Sequence, residues 1–302
     1  MGVLAGVTLL AACEKVAELP ASPRPEPRPE IHQQSDESLA IEAYYQRVQN
    51  SLLTQGLLRK DGGGPDVPFN ARILTQNFLK IAFYQEYSES GGRLVAHETA
   101  SALNRWNRPI RYQVSFGETV SQAKQNYDQQ QISRFSNRLE RLTGLDFTKV
   151  ETGANLHIFI VNEDERHLLA AKFNQIDPRI STASVNAVIN MDRETYCIAL
   201  STNPGQTHLY EQAFIVIRAE HPDLLRTTCI HEEMAQSLGL ANDSPAARPS
   251  IFNDDEEFGY LTTHDEMLLR ILYDPRLRPG MSEAEARPIV ETIAAEQFGG
   301  GV

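Results

Sequence analysis

No glycine-rich phosphate loop, no G-x-S-x-G nucleophile elbow and no tandem repeat occurs in these 302 residues. Their absence sets aside phosphate-cradling, serine-hydrolase and solenoid architectures. Basic residues are also short, 28 Lys and Arg against 40 Asp and Glu, for a formal net charge of −12. Recognition of a phosphate backbone needs clustered cations, so no nucleic-acid partner is expected. Cysteine is confined to Cys13, Cys197 and Cys229, none of them in a thiol-protease context. What remains is ordinary for a soluble globular chain: 41% hydrophobic and 23% charged residues. That is enough to bury a core in one large domain or two small ones.

The first thirteen residues are apolar and end in Leu10-Ala11-Ala12-Cys13. A short apolar run closing on small residues is the pattern of a secretory signal, here residues 1–12. Leu-Ala-Ala-Cys also resembles a bacterial lipobox, which implies cleavage before Cys13 and a lipid on its sulfur. Glu14 in the next position implies sorting to the outer membrane, facing the periplasm. A strand or a frayed terminus is the alternative. No Lys or Arg precedes the run, so translation is expected to start upstream of Met1. Residues 13–35 carry Pro20, Pro23, Pro25, Pro27 and Pro29, which favour an extended polyproline tether. The lipid anchor is thus the expected membrane contact. In an exported chain Cys197 and Cys229 could join as a disulfide, closing a loop of about thirty residues for roughly 3–4 kcal/mol; two buried free thiols are the other possibility.

Periodicity divides the rest into a helical N-terminal region, 36–95, and a main domain, 96–302. Helices over 36–58 and 71–87, closed by Gly91 and Gly92, suggest a helical hairpin or cover. Strands are expected at 110–116, 156–161, 184–191, 197–200 and 212–218, with a long helix over 120–143 stopping at Gly144. Later helices fit 263–273, with Thr263 and Glu266 as a capping box, and 282–298, opened by Ser282 and Glu285. Pro288 argues for a kink or late start there. Asp254-Asp255-Glu256-Glu257 reads as a solvated loop, and the turn-rich 274–281 segment could line a cleft with Arg276 and Arg278.

The chemistry concentrates on one helix, begun by Pro222-Asp223 and stopped by Gly239. Thr227, Ile230, Met234 and Leu238 fall within about 80° of one another and form its core seam. Glu232, Glu233, Gln236, Cys229 and Leu240 spread over about 100° on the other side. His231-Glu232 looks like the start of a zinc-binding H-E-x-x-H, but the second ligand position is Ala235, and Gln236 lies about 140° around from His231. Moved by one residue, Glu232-Glu233-x-x-Gln236-x-x-Gly239-x-x-Asn242 has the spacing of the metzincin pattern. Glu232, Gln236 and Asn242 then stand at ligand positions, with Asp243 a stronger donor beside Asn242, and Glu233 at the general-base position.

Phe214 to Val290 is similar to an uncharacterised Gram-negative cell-envelope family, domain of unknown function 2927. The likeness is carried by Glu232 to Ser244, Pro249-Ser250-Ile251-Phe252-Asn253-Asp254, His264-Asp265 and Tyr273-Asp274-Pro275-Arg276-Leu277. It brings no activity with it. The expected fold class is α+β, zincin-like of metzincin type, with a mixed sheet and long helices. Three readings of the site stay open. A divalent metal is held by the oxygen donors, with His264 as a weak nitrogen ligand, and Glu233 activates water for hydrolysis. Alternatively, the metal is lost and the cleft binds a peptide or an envelope protein. In the third, the acidic pair is structural.

Overall fold

The computed structural model describes residues 1–2, 33–203, 205, 207–253 and 255–299. The expected leader past its second residue, Cys13 and the tether as far as residue 32 lie outside them. Among the described residues no helix is long and apolar enough to cross a membrane.

Ser35 accepts from the Ser38 amide and starts α1 (Asp36–Thr54), and Asn70 caps α2 (Ala71–Ala82) in the same way. The two helices are not a hairpin. Tyr45 of α1 packs with Leu58 and Leu225, whereas α2 packs against helices near the C-terminus and sends Leu74, Phe78 and Ile81 into the main core. The second helix also stops earlier than its periodicity suggests. Residues 84–100 form a β-hairpin, β1 (Tyr84–Ser90) and β2 (Arg93–Ala100). Gly91 and Gly92, at φ 58° and 75°, make its two-residue turn, a geometry that needs positive φ at both centres. The glycine pair is thus a strand reversal and not a helix stop.

The main sheet follows. β3 (Ile110–Phe116) leads to α3 (Gln122–Thr143), which ends at Gly144 with φ 72°. Next come β4 (Phe147–Lys149), β5 (Leu156–Val161) and three short helices, α4 (Glu163–Arg166), α5 (Leu169–Ile176) and α6 (Thr182–Ile189). The strand expected over 184–191 is therefore helix α6. Its β-branched content suggested a strand, but Ser181 accepts from the Ser184 amide and opens a helical turn. Ala183, Val185 and Val188 of that helix are then buried. β6 (Cys197–Thr202) and β7 (Gln212–Arg218) complete the sheet.

Strand order is β4-β3-β5-β7-β6, with β6 antiparallel to β7 and the other pairings parallel. The architecture is mixed α+β. Central strands β5 and β7 are buried on both faces, which explains their unbroken apolar runs. Ile158, Ile160, Ile215 and Ile217 face the larger core, with α3 and the helix after β7, while Phe159, Phe214 and Val216 face α5 and α6. That next helix is α7 (Asp223–Gln236), followed by α8 (Thr263–Leu272) and α9 (Glu283–Gly299). α9 neither starts late nor stops at Pro288. The cap of α8 is Thr262 with Asp265, one residue before the expected pair. Asp265 also accepts from the Ser250 hydroxyl and the Ile251 amide, which fixes the cap to the preceding loop.

Candidate functional site

α7 opens at Pro222 with Asp223 in its first turn, and its seam is buried as the 3.6-residue period requires: Thr227, Ile230, Met234 and Leu238 are at most 1% exposed. Two aromatic residues satisfy the carbonyls at its far end. The Trp106 indole donates to the Ser237 carbonyl and the Tyr273 hydroxyl to that of Leu238, both at 2.8 Å. Gly239 then turns the chain at φ 125°. A Cβ at this position would lie 2.3 Å from the Asn104 carbonyl oxygen, so the approach requires glycine.

The opposite face of α7 is the floor of a cavity of about 740 Å³. Residues 197–201 of β6 form one wall and residues 85–89 of β1 another. A disulfide between Cys197 and Cys229 fastens the first wall to the floor. β6 is the outermost strand of the sheet, and among the described residues no strand pairs with its other edge. Seven acidic residues line the cavity: Glu86, Glu89, Glu194, Glu232, Glu233, Asp243 and Glu256. No Lys, Arg or His is among its described lining residues.

The chain reversal at Gly239 brings Asp243 back to Gln236, whose amide donates to it at 3.2 Å. Asn242 is directed elsewhere: its amide donates to the Lys80 carbonyl at the end of α2 and to Glu98 of β2, both at 3.1 Å. Glu232 and Gln236 are half-buried in the floor. Glu233 is 3% exposed, and among the described residues its Oε2 has no hydrogen-bond partner. Among the described residues no three His, Cys, Asp or Glu side chains gather as a metal site.

Both histidines near the motif are occupied. His231 accepts from the Leu261 amide through Nδ1 at 3.1 Å and stacks on Phe135 at 4.0 Å between centroids. Burial and nearby Arg138 push its pKa down to about 3. His264 is fully buried, 3.1 Å from the Asn77 amide and edge-on to Phe69. Arg276 does not line the cavity; it pairs with Asp274 and Glu296, because the 274–276 turn keeps its guanidinium beside the carboxylate two residues back. Arg278 is absent from the lining as well. Of the 254–257 run, Asp254 lies outside the described residues, Glu257 pairs with Arg59 and Arg248, and Glu256 faces the cavity.

The electrostatics follow from this placement. Burial raises Glu232 well above the ordinary carboxylate range, and the charges of Glu233, Asp243, Glu256 and Glu86 add to it. Glu233 is raised by burial, then by Asp243 and Glu86. The Tyr87 phenol is raised by burial first and then by Glu86, with Glu233 and Asp243 also contributing. Such a site disfavours further negative charge and favours any ligand that brings positive charge. Glu86 and Tyr87 escape sequence reasoning because their segment reads as helix; the two glycines followed by Leu94 and Val95 were the available hairpin signal.

The family model described as "Protein of unknown function (DUF2927)" matches residues 71–292, which span the hairpin, the sheet and every element around the cavity. No curated protein and no solved structure matches the chain.

Proposed function

The chain belongs to this family of unknown function, DUF2927, and from its cleft we propose that it binds an extended peptide segment of a cell-envelope component. The segment adds as a strand along the outer edge of β6. The observation that carries the reading is an edge strand that forms one wall of a cavity of about 740 Å³. An unpaired edge offers a row of backbone donors and acceptors, which an extended peptide satisfies. The disulfide to α7 holds that edge against the floor and lowers the cost of ordering it on binding. Export and lipid anchoring at Cys13, with residence at the outer membrane, belong to the same reading. The apolar leader, the Leu-Ala-Ala-Cys run and a disulfide typical of oxidising compartments support them. A degenerate zincin-like scaffold is also part of it, supported by the antiparallel edge strand beside the helix that bears the motif.

The test is fluorescence polarisation with extended peptides and with analogues N-methylated at alternate residues. Binding by the first set and loss by the second is expected, because methylation removes strand donors. Equal binding by both sets, or by neither, discards the strand. For the anchor, Cys13→Ser should abolish fatty-acid labelling; persistent labelling defeats it.

A second reading is metal-dependent hydrolysis with Glu233 as general base. The meeting of Gln236 and Asp243 on the floor that Glu232 shares favours it. Such oxygen donors suit Ca²⁺ or Mg²⁺ better than zinc. Metal analysis of protein purified without chelator, compared with Glu232→Ala, decides it: no stoichiometric ion removes the reading.

A further inference from the structure

We propose that the segment bound at β6 is cationic and that a lysine or arginine side chain from it reaches Glu233; this rests on the peptide reading above. Seven carboxylates around a cavity are not by themselves a site. Glu233 supplies the second observation, being 3% exposed, part of the cavity lining, and lacking any partner for Oε2 among the described residues. A buried oxygen with unused acceptor capacity costs free energy unless something fills it. The described lining residues contain no base to do so. An ammonium or guanidinium from a ligand provides both the missing donor and the missing charge.

The sheet gives this ligand a register. Cys197 and Ala199 of β6 pack toward the α7 side, whereas Ile198 and Leu200 pack toward α5 and α6. Side chains of an added strand alternate in the same way. Residues i and i+2 of the bound segment therefore face the floor that carries Glu232 and Glu233. The five lining residues of β6, 197–201, correspond to about 17 Å of strand at roughly 3.3 Å per residue. The preferred ligand is an extended peptide with basic residues at alternate positions.

The experiment compares three peptides of about eight residues, with lysine, glutamine or glutamate at alternate positions, together with spermidine. The lysine peptide is expected to bind at least about tenfold more tightly than the glutamine peptide, a gap of about 1.4 kcal/mol. Glu233→Gln should reduce that gap to less than about threefold. Glu291→Gln, which removes an exposed charge on α9, should leave it in place and so exclude a general effect of net charge. If lysine and glutamine peptides bind equally, the cationic inference falls while the strand reading stands. If no peptide binds, both fall. Spermidine binding as tightly as the lysine peptide, and equally sensitive to Glu233→Gln, identifies a free polyamine as the occupant and overturns the peptide. A melting temperature for Glu233→Gln no lower than that of the unsubstituted protein excludes misfolding; Glu232→Gln gives a second variant on the same floor.

Discussion

Two sets of buried carboxylates in this molecule are treated in opposite ways. Glu163, at the start of α4, accepts from Arg218 at 2.6 Å and also pairs with Arg166. Arg218 in turn donates to the carbonyls of Met191, Asp192 and Thr195. Burial pushes Glu163 up, but the two guanidiniums outweigh it and hold the group below its ordinary value. Glu233 is about as buried, yet among the described residues its Oε2 has no donor, and its pKa is raised. Glu163 has its own cations within the fold. An acid left without them beside a cavity is available to something else.

The comparison can be broken most severely at Arg218. Arg218→Met leaves three carbonyls short of a donor and removes one of the two cations on Glu163. A loss of about 3–5 kcal/mol is expected in chemical denaturation. A loss below about 1 kcal/mol would remove the distinction between the two sets. Next is the disulfide. Cys197→Ser with Cys229→Ser opens a loop with a sequence separation of 32 and should cost roughly 3–4 kcal/mol. Peptide affinity should fall as well, because β6 loses its fixed position over the floor. His231→Phe keeps the stacking on Phe135 but strands the Leu261 amide. It should cost about 1–3 kcal/mol while leaving peptide binding unchanged; weakened binding would return His231 to the site.

The smallest effect has the opposite sign. Glu233 is raised in the folded state, so its favourable contribution is complete below the unfolded carboxylate value and is lost as pH rises through the folded one. Asp243 on the same floor and Glu86 on the β1 wall deepen that loss. Glu233→Gln should therefore raise the melting temperature by about 2–4 °C near pH 8 and leave it unchanged near pH 4. An equal gain at both values would show that protonation is not involved.

Much of α7 was legible in the sequence. Its Pro222 start, its seam and the shared face of Glu232, Glu233 and Gln236 follow from a period of 3.6 residues and two breaker residues. The reversal at Gly239 was legible too, although the residue it returns to Gln236 is Asp243, with Asn242 turned to Glu98. Other features rest on contacts distant in sequence. Trp106 lies 131 residues from the carbonyl it satisfies, a relation no local pattern carries. Residues 84–87 continue the helical pattern because alternation is weak in Tyr84-Gln85-Glu86-Tyr87 and the helix before them ends without a breaker. At α6, two hydroxyl groups in the first turn outweighed strand propensity, which is a surface-fitting preference more than a backbone rule.

Asn242 joins the exit of the site helix to the last turn of α2 through Lys80 and to the hairpin through Glu98, and α2 is packed against α8 and α9. The separation of the cleft's walls is thus inherited from a helical layer that contributes none of the described lining residues. A substitution that reseats α2 would change the width of the cleft while the carboxylates contributed by α7 stay where they are.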